Sequence, residues 1–475
     1  MTWLIRNPHP AAHAGRTAPA DPAAAHFQLP LSRAALTTAR GWLLLGAFSL
    51  LASGLFSVLL VLARTPYVKS LVPGIDLFHT ALVVHVDLSV LVWFFALGGV
   101  LWCFNSGERA QGWLRGALAL ATGGALLLVA APFGGGTPIM ANYVPVLDSP
   151  IFLAALAIFG AGVGIAVGAA TVFPGRLGHA LDGTGALHAG LNAAALSALV
   201  ALLAFAWSFA TVPAGLDGKA YYELVFWGGG HVLQFTWTLL MLVAWLWLAE
   251  ASGLALPLRP RVVVALFASA LAFVLLTPVI YAMHDVTSVE HRRLLTWAMR
   301  AGGGLAVGPV AIAILVAFRR ARRAAPPTGG ALRSALAMSM LLFLSGGLIG
   351  FLIRGSTVTI PAHYHGCIVG VTLAFMGLAY HLMPRLGLGA PGGRLAFWQP
   401  IVYGGGQLLH IVGLMWSGGY GVQRKVAGGE QVLRTAGEVA GMALMGLGGL
   451  IAIVGGLMFL MVLARAWKTR DVEAR

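Results

Sequence analysis

Apolar runs of about twenty residues or more alternate along the chain with short polar segments, and that is the length a helix needs to cross the hydrocarbon of a bilayer. The runs predict twelve spans, near 41–63, 74–104, 112–132, 150–173, 185–211, 222–250, 261–284, 296–318, 332–354, 361–384, 397–416 and 437–466. The first begins too late and runs too long for a secretory signal. The expected architecture is therefore an all-α integral membrane protein, with an N-terminal cytoplasmic tail at 1–40, a twelve-helix membrane domain at 41–466 and a C-terminal cytoplasmic tail at 467–475. Glycine is abundant within the spans, 63 residues in all, which suits close helix packing in lipid. No internal repeat is visible.

Composition removes the alternatives. Apolar residues make up 59% of the chain and charged residues 9%, with a mean hydropathy of +0.86, whereas a soluble domain carries roughly 25% charged residues. The formal charge of +15 would suggest nucleic acid in a soluble chain; between membrane spans it reflects basic loops on the cytoplasmic side. With the N-terminus inside, inner segments hold 20 Lys and Arg, including Arg319, Arg320, Arg322 and Arg323, and outer segments hold 10. That ratio places both termini in the cytoplasm of a bacterial-type inner membrane, with lipid and not nucleic acid as surroundings. Cys103 and Cys367 show no CxxC spacing, so neither a disulfide framework nor a zinc site is indicated. CxxCH is absent, which excludes a covalently attached c-type heme.

The candidate chemistry lies in the histidines. His9, His13 and His26 belong to the tail. His85 lies about ten residues into span two and His231 about ten into span six; His284 ends span seven, and His363 and His365 open span ten. In the alternating topology all four places fall in the outer part of the membrane at similar depth. Ionisable groups inside a bilayer are expensive and mark function. Two residues along a helix turn by about 200°, so His363 and His365 face opposite sides of span ten. They cannot share one metal, but each can hold a cofactor on its own side. His85 could complete a bis-histidine heme with one of them, leaving the other heme iron open, and His231 and His284 could hold a second metal opposite it. His188 and His410 sit singly in spans, His79 lies about 240° around the helix from His85, His179 belongs to an inner loop, and His381 reads as an interfacial or packing residue.

The stretch HYHGCIVGVTLAFMGLAYHLMP resembles the span-ten motif of the catalytic subunit of the heme-copper oxidase superfamily, which includes oxygen and nitric oxide reductases. The resemblance implies that His363 is the axial ligand of a high-spin heme and that His365 and His85 clamp a low-spin heme of b type. The context of His85 is similar to the VHTNLL-type motif of the nitric oxide reductase branch. His231 and His284 match ligands of the non-heme metal, copper or iron. GVQRKVAGG resembles the GxxRR loop, so Arg424 and Lys425 would bind heme propionates, unless they are an ordinary outer-loop charge pair.

Departures from the family pattern choose the branch. Span seven ends in His284-Asp285 where the family has His-His, so Asp285 is an expected oxygen ligand, with His291 as the alternative. Asp285 could instead cap a helix or pair with Arg292 or Arg293. Oxygen reductases place a Tyr four residues after the span-six His, where Phe235 stands here; the other branch would put it at Pro278, with Tyr281 out of register. Ordinary nitric oxide reductases carry a Glu near that His. Gln234 follows here, able to donate to a bound N–O group or to a neighbouring helix. Asp87 could orient the His85 ring or serve a proton path, for which Glu223 and Glu438 are further candidates.

The resulting expectation is a respiratory oxidoreductase catalysing 2 NO + 2 e⁻ + 2 H⁺ → N₂O + H₂O at His363, His231, His284 and Gln234. The alternatives are a terminal oxygen reductase and a heme-binding membrane protein without turnover. An electron-donating subunit (cupredoxin-like or a cytochrome c) or a quinol is the expected partner.

Overall fold

The computed structural model describes residues 26–67, 75–179, 181–321, 329–426 and 431–469. His9, His13, Arg322, Arg323 and the last six residues lie outside the described residues. Among the described residues fifteen α-helices follow one another: α1 (Arg33–Arg64), α2 (Ile75–Val86), α3 (Trp93–Asn105), α4 (Gln111–Ala130), α5 (Pro150–Val172), α6 (Gly183–Thr211), α7 (Gly218–Ala251), α8 (Pro260–Val274), α9 (Leu276–Met283), α10 (Val289–Gly302), α11 (Val307–Arg320), α12 (Gly329–Gly350), α13 (Thr359–Leu382), α14 (Gly393–Gly419) and α15 (Ala436–Thr469). A two-stranded antiparallel hairpin, β1 (Thr137–Ile139) with β2 (Val146–Asp148), joins α4 to α5.

The fold is all-α and multi-spanning. Among the described residues eleven helical segments are long and apolar enough to cross a membrane. They coincide with eleven of the twelve expected spans. The remaining one, expected at 397–416, forms as α14 but is less apolar, because Gln399, Gln407 and His410 lie along it. Three spans are built from two pieces. α2 and α3 are joined by a π-helical turn, Asp87–Val92, a distortion that recurs at functional sites. α8 and α9 break where Pro278 has no N–H to return to the preceding turn. α10 and α11 break just past Gly302.

Apolar surface gives no net drive between helices in lipid, so close packing must hold the bundle. Glycine provides it where the site requires it. Gly346 of α12 lies against the backbone of Gly366 and Cys367 on α13, and Gly448 of α15 against the backbone of His410 on α14. Trp245 of α7 donates to Ser339 of α12 (2.7 Å), which donates to the Gly370 carbonyl of α13 (2.6 Å), tying three helices at their centre. The α7 and α13 spans are the most enclosed, with 94% and 78% of their apolar windows buried. Those two helices carry His231, His363 and His365.

Candidate cofactor and metal sites

Four imidazoles on four helices share one arrangement. His85 Nδ1 lies 3.1 Å from the Ser53 carbonyl and 2.9 Å from its hydroxyl, and His231 Nδ1 lies 2.7 Å from the Trp227 carbonyl. His363 Nδ1 lies 2.7 Å from the Gly346 carbonyl, and His410 Nδ1 lies 3.0 Å from the Met445 carbonyl. A carbonyl can only accept, so Nδ1 carries the proton in each ring and Nε2 is left with its lone pair. That is how a protein fixes the tautomer and orientation of a ligating histidine. The glycine contacts make it possible: Gly346 brings its carbonyl to His363 through the close α12–α13 approach, and Gly350 leaves room for the ring.

His363 and His365 leave α13 on opposite sides. His363 turns to α12. The His365 ring lies 5.0 Å from that of His410 on α14, and His85, His410 and Arg64 are close enough to interact with it electrostatically. Imidazoles from α2, α13 and α14 thus converge on one side. Two rings with centroids 5.0 Å apart are too close to sandwich a heme plane, so His365 and His410 as placed are not a pair of axial ligands. Asp87, one turn-fraction from His85 in the π-helical segment, is buried, and neither carboxyl oxygen has a partner among the described residues.

On the other side, His231 is buried and its Nε2 faces two hydroxyls, Tyr143 Oη at 3.0 Å and Thr296 Oγ1 at 3.2 Å. Gln234 lies half-buried one turn further along α7. His291 of α10 is fully buried, neither ring nitrogen has a hydrogen-bond partner among the described residues, and its ring stands edge-on to Tyr281 with centroids 4.5 Å apart. It interacts electrostatically with His231 and with His284. Buried polar groups without a partner are rare and ask for a ligand. His284 caps α9 and is half-buried. Asp285 is exposed; the N–H and hydroxyl of Thr287 donate to its carboxylate at 2.8 and 2.5 Å and hold its pKa below the ordinary value. Among the described residues no three His, Cys, Asp or Glu side chains are grouped closely enough to hold a metal ion, so His231, His284 and Asp285 do not form one set. With Nε2 of His231 presented and His291 orphaned, the residues fit a non-heme metal; with Nδ1 of His85 and His363 tied back, they fit hemes.

A cavity of about 400 Å³ opens beside His231, lined by Trp227, Thr296, Arg292, Arg293 and Arg300. Arg300 acts electrostatically on His363 and Arg292 on His291, so the charge of this cavity is felt at both imidazoles. Among the described residues the only ion pair is His26–Glu250, and none of the three arginines is neutralised by a carboxylate.

The expected propionate ligands, Arg424 and Lys425, converge on the loop between β1 and β2. Lys425 Nζ donates to the Met140 carbonyl (2.6 Å) and to Asn142 Oδ1 (3.2 Å), which Arg424 also reaches at 3.3 Å. Glu223 accepts from the N–H and the amide of Asn142. Burial first, then Arg424, lowers the Lys425 pKa to about 8. His79 Nε2 lies 3.1 Å from the Lys425 carbonyl, away from the imidazole clusters. Glu438 caps the start of α15 through the backbone N–H of Thr435.

Sequence reading missed Tyr143, Thr296 and the His410 contact. Tyr143 comes from an extramembrane loop with no spacing relation to His231, and its one trace is the Gly228–Gly230 run. His410 had no partner within its own span.

No protein-family model matches the chain. It is 28% identical to an uncharacterized protein of Rickettsia prowazekii (strain Madrid E), across 89% of this chain and 94% of that one. It is also 28% identical to an uncharacterized protein of Aquifex aeolicus (strain VF5), across 73% of this chain and 84% of that one. Among solved structures it resembles a chain in a cryo-EM structure of a heme-copper terminal oxidase dimer, with a TM-score of 0.68 and 17% identity over 92% of this chain and 84% of that one. The chain is thus a multi-spanning, all-α membrane protein whose fold is similar to that of a heme-copper terminal oxidase chain.

Proposed function

We propose that the chain is a respiratory membrane reductase that binds a low-spin heme between His85 and His365, a high-spin heme at His363 and a non-heme copper or iron at His231. The observation that carries this reading is the opposed exit of His363 and His365 from α13, His363 towards the Gly346 carbonyl of α12 and His365 towards His410 and His85. In this reading α14 is the twelfth span, both termini are cytoplasmic, and electrons come from a partner subunit or a quinol. Arg424 and Lys425, which converge on the loop between β1 and β2, would receive the heme carboxylates.

The reaction proposed is 2 NO + 2 e⁻ + 2 H⁺ → N₂O + H₂O. The hemes and the non-heme metal supply the redox steps and Lewis acidity. The chain's own residues orient and stabilise. Trp227 and Gly346 hold the His231 and His363 rings with Nε2 outward. Arg292, Arg293 and Arg300 line the cavity beside His231, and their charge would favour the negative charge that develops on the N–O atoms. Oxygen reduction is the second reading, favoured by one observation, the Tyr143 phenol beside His231.

Purified protein should contain two hemes and one non-heme metal, and the reduced form should make N₂O from NO faster than it consumes O₂. Replacing His363 by Ala should abolish turnover while the low-spin heme spectrum persists; retained turnover would refute the assignment. Fast O₂ consumption with little N₂O would establish the second reading, and absence of heme would sink both.

A further inference from the structure

Three consecutive glycines, Gly228, Gly229 and Gly230, precede His231 on α7, and a different aromatic ring presses on each. A Cβ at Gly228 would collide with the Tyr281 hydroxyl, one at Gly229 with the Phe205 ring, and one at Gly230 with the Tyr143 ring. Tyr143 therefore reaches His231 because Gly230 has no side chain. Its own backbone is held at φ +65°, a left-handed conformation that a bulky residue adopts only when its surroundings impose it. The surroundings are the Asn142 clamp, gripped by Glu223 from α7 and by Arg424 and Lys425 from the loop after α14. A loop fixed from two directions, against backbone preference, delivers one phenol to one imidazole.

The position of that phenol has a specific chemistry. His231 Nδ1 is tied to Trp227, so Nε2 is the atom free to bind a metal, and Tyr143 Oη lies 3.0 Å from it. Two donor atoms bound side by side to one metal, each about 2.0–2.2 Å from it, lie roughly 2.8–3.5 Å apart. The Tyr143–His231 separation is thus a ligand–ligand edge as well as a hydrogen bond. His291, fully buried beside Tyr281 and with neither ring nitrogen partnered among the described residues, offers a second imidazole.

We propose that Tyr143 is an oxygen ligand of the non-heme metal, completing a set with His231 and His291. The inference rests on the reading that a non-heme metal binds at His231, and it names the oxygen donor. On binding, the Tyr143 O–H bond breaks, an O–metal bond forms and one proton is released to solvent. The phenolate with two imidazoles is a mixed hard and borderline donor set that suits iron or copper.

The test uses the purified full-length protein in its oxidised form. Resonance Raman bands that shift when the tyrosine is ring-deuterated, and that vanish in Tyr143→Phe, are expected. Tyr143→Phe should also bind the non-heme metal at least about tenfold more weakly, the usual cost of disturbing a metal shell, with both hemes retained. Tyr281→Phe, which removes the neighbouring phenol, should leave bands and metal content unchanged. Parent protein that holds heme and metal but shows no tyrosine-dependent bands, or a Tyr143→Phe variant with parental metal affinity, overturns the inference alone. Parent protein without a non-heme metal overturns the underlying reading as well. The Raman measurement on the parent decides the matter even if the variant fails to fold.

Discussion

Tyr143 Oη lies 3.0 Å from Nε2 of His231 although 88 residues separate them, and the contact depends on the missing side chain of Gly230. Restoring a single methyl there is therefore a sharp probe. Gly230→Ala forces the Tyr143 ring off α7, and overpacking of this kind costs about 1–3 kcal/mol. A helix-interior Gly→Ala change would otherwise stabilise by roughly 0.5–1 kcal/mol. Thermal unfolding should show a net loss, accompanied by loss of the non-heme metal. A variant as stable as the parent with its metal in place would mean that the loop is not held as tightly as the Asn142 clamp implies.

The two sides of α13 should come apart by mutation. His365→Ala and His85→Ala should each remove the low-spin heme signal and leave the high-spin one. His410→Ala should behave differently, because its ring lies against His365 and not across a heme from it. Two hemes per chain should remain, with the low-spin midpoint potential displaced on the order of tens of millivolts as the packing around the ligand changes. Loss of the low-spin heme in His410→Ala, to the extent seen for His365→Ala, would make His410 a ligand itself.

Lys425 gives a pH signature. Its folded pKa is about 8, lowered first by burial and then by Arg424, against an ordinary value of 10.5. Between those values the unfolded chain binds more protons than the folded one, so stability rises as pH increases from about 8 to 10.5. The charged lysine is tolerated, not favoured, below that window. With screening at this half-exposed site the gain is on the order of 1–2 kcal/mol. The Tm of the parent should climb across this window relative to Lys425→Met. A heme carboxylate bound to Lys425 would favour its charged form and flatten the rise, so the steepness also reports on heme occupancy.

Span-level architecture was legible because apolar run length is set by the bilayer and needs no tertiary information. Eleven of the expected spans follow from it, and α14 is harder to read only because Gln399, Gln407 and His410 dilute its apolar pattern. The facing of His363 and His365 was legible for the same local reason, helix periodicity. What sits beside them was not. His410 meets His365 because Gly448 lets α15 close on α14 and orient the His410 ring, a relation between helices that no spacing encodes. Tyr143 arrives from outside the membrane on a strained loop. The GGG run before His231 announced that something must approach α7 there, without saying what.

Asp285 tests the boundary between chain proximity and geometry. Its place directly after His284 made it an expected ligand, yet its carboxylate accepts both the N–H and the hydroxyl of Thr287 and is exposed. Those two donors, both on Oδ1, lower its pKa, so it is a carboxylate at neutral pH held in its own turn. Turning it inward to a metal would give up both hydrogen bonds and desolvate the charge. Asp285→Ala should therefore keep two hemes, the non-heme metal and most of the turnover, with a small loss of stability from the freed turn. His291→Ala should lose the metal, because removing this ring takes away a buried imidazole whose nitrogens have no hydrogen-bond partner among the described residues. Metal analysis of the two variants side by side decides it: loss of metal in Asp285→Ala with retention in His291→Ala would reverse the assignment.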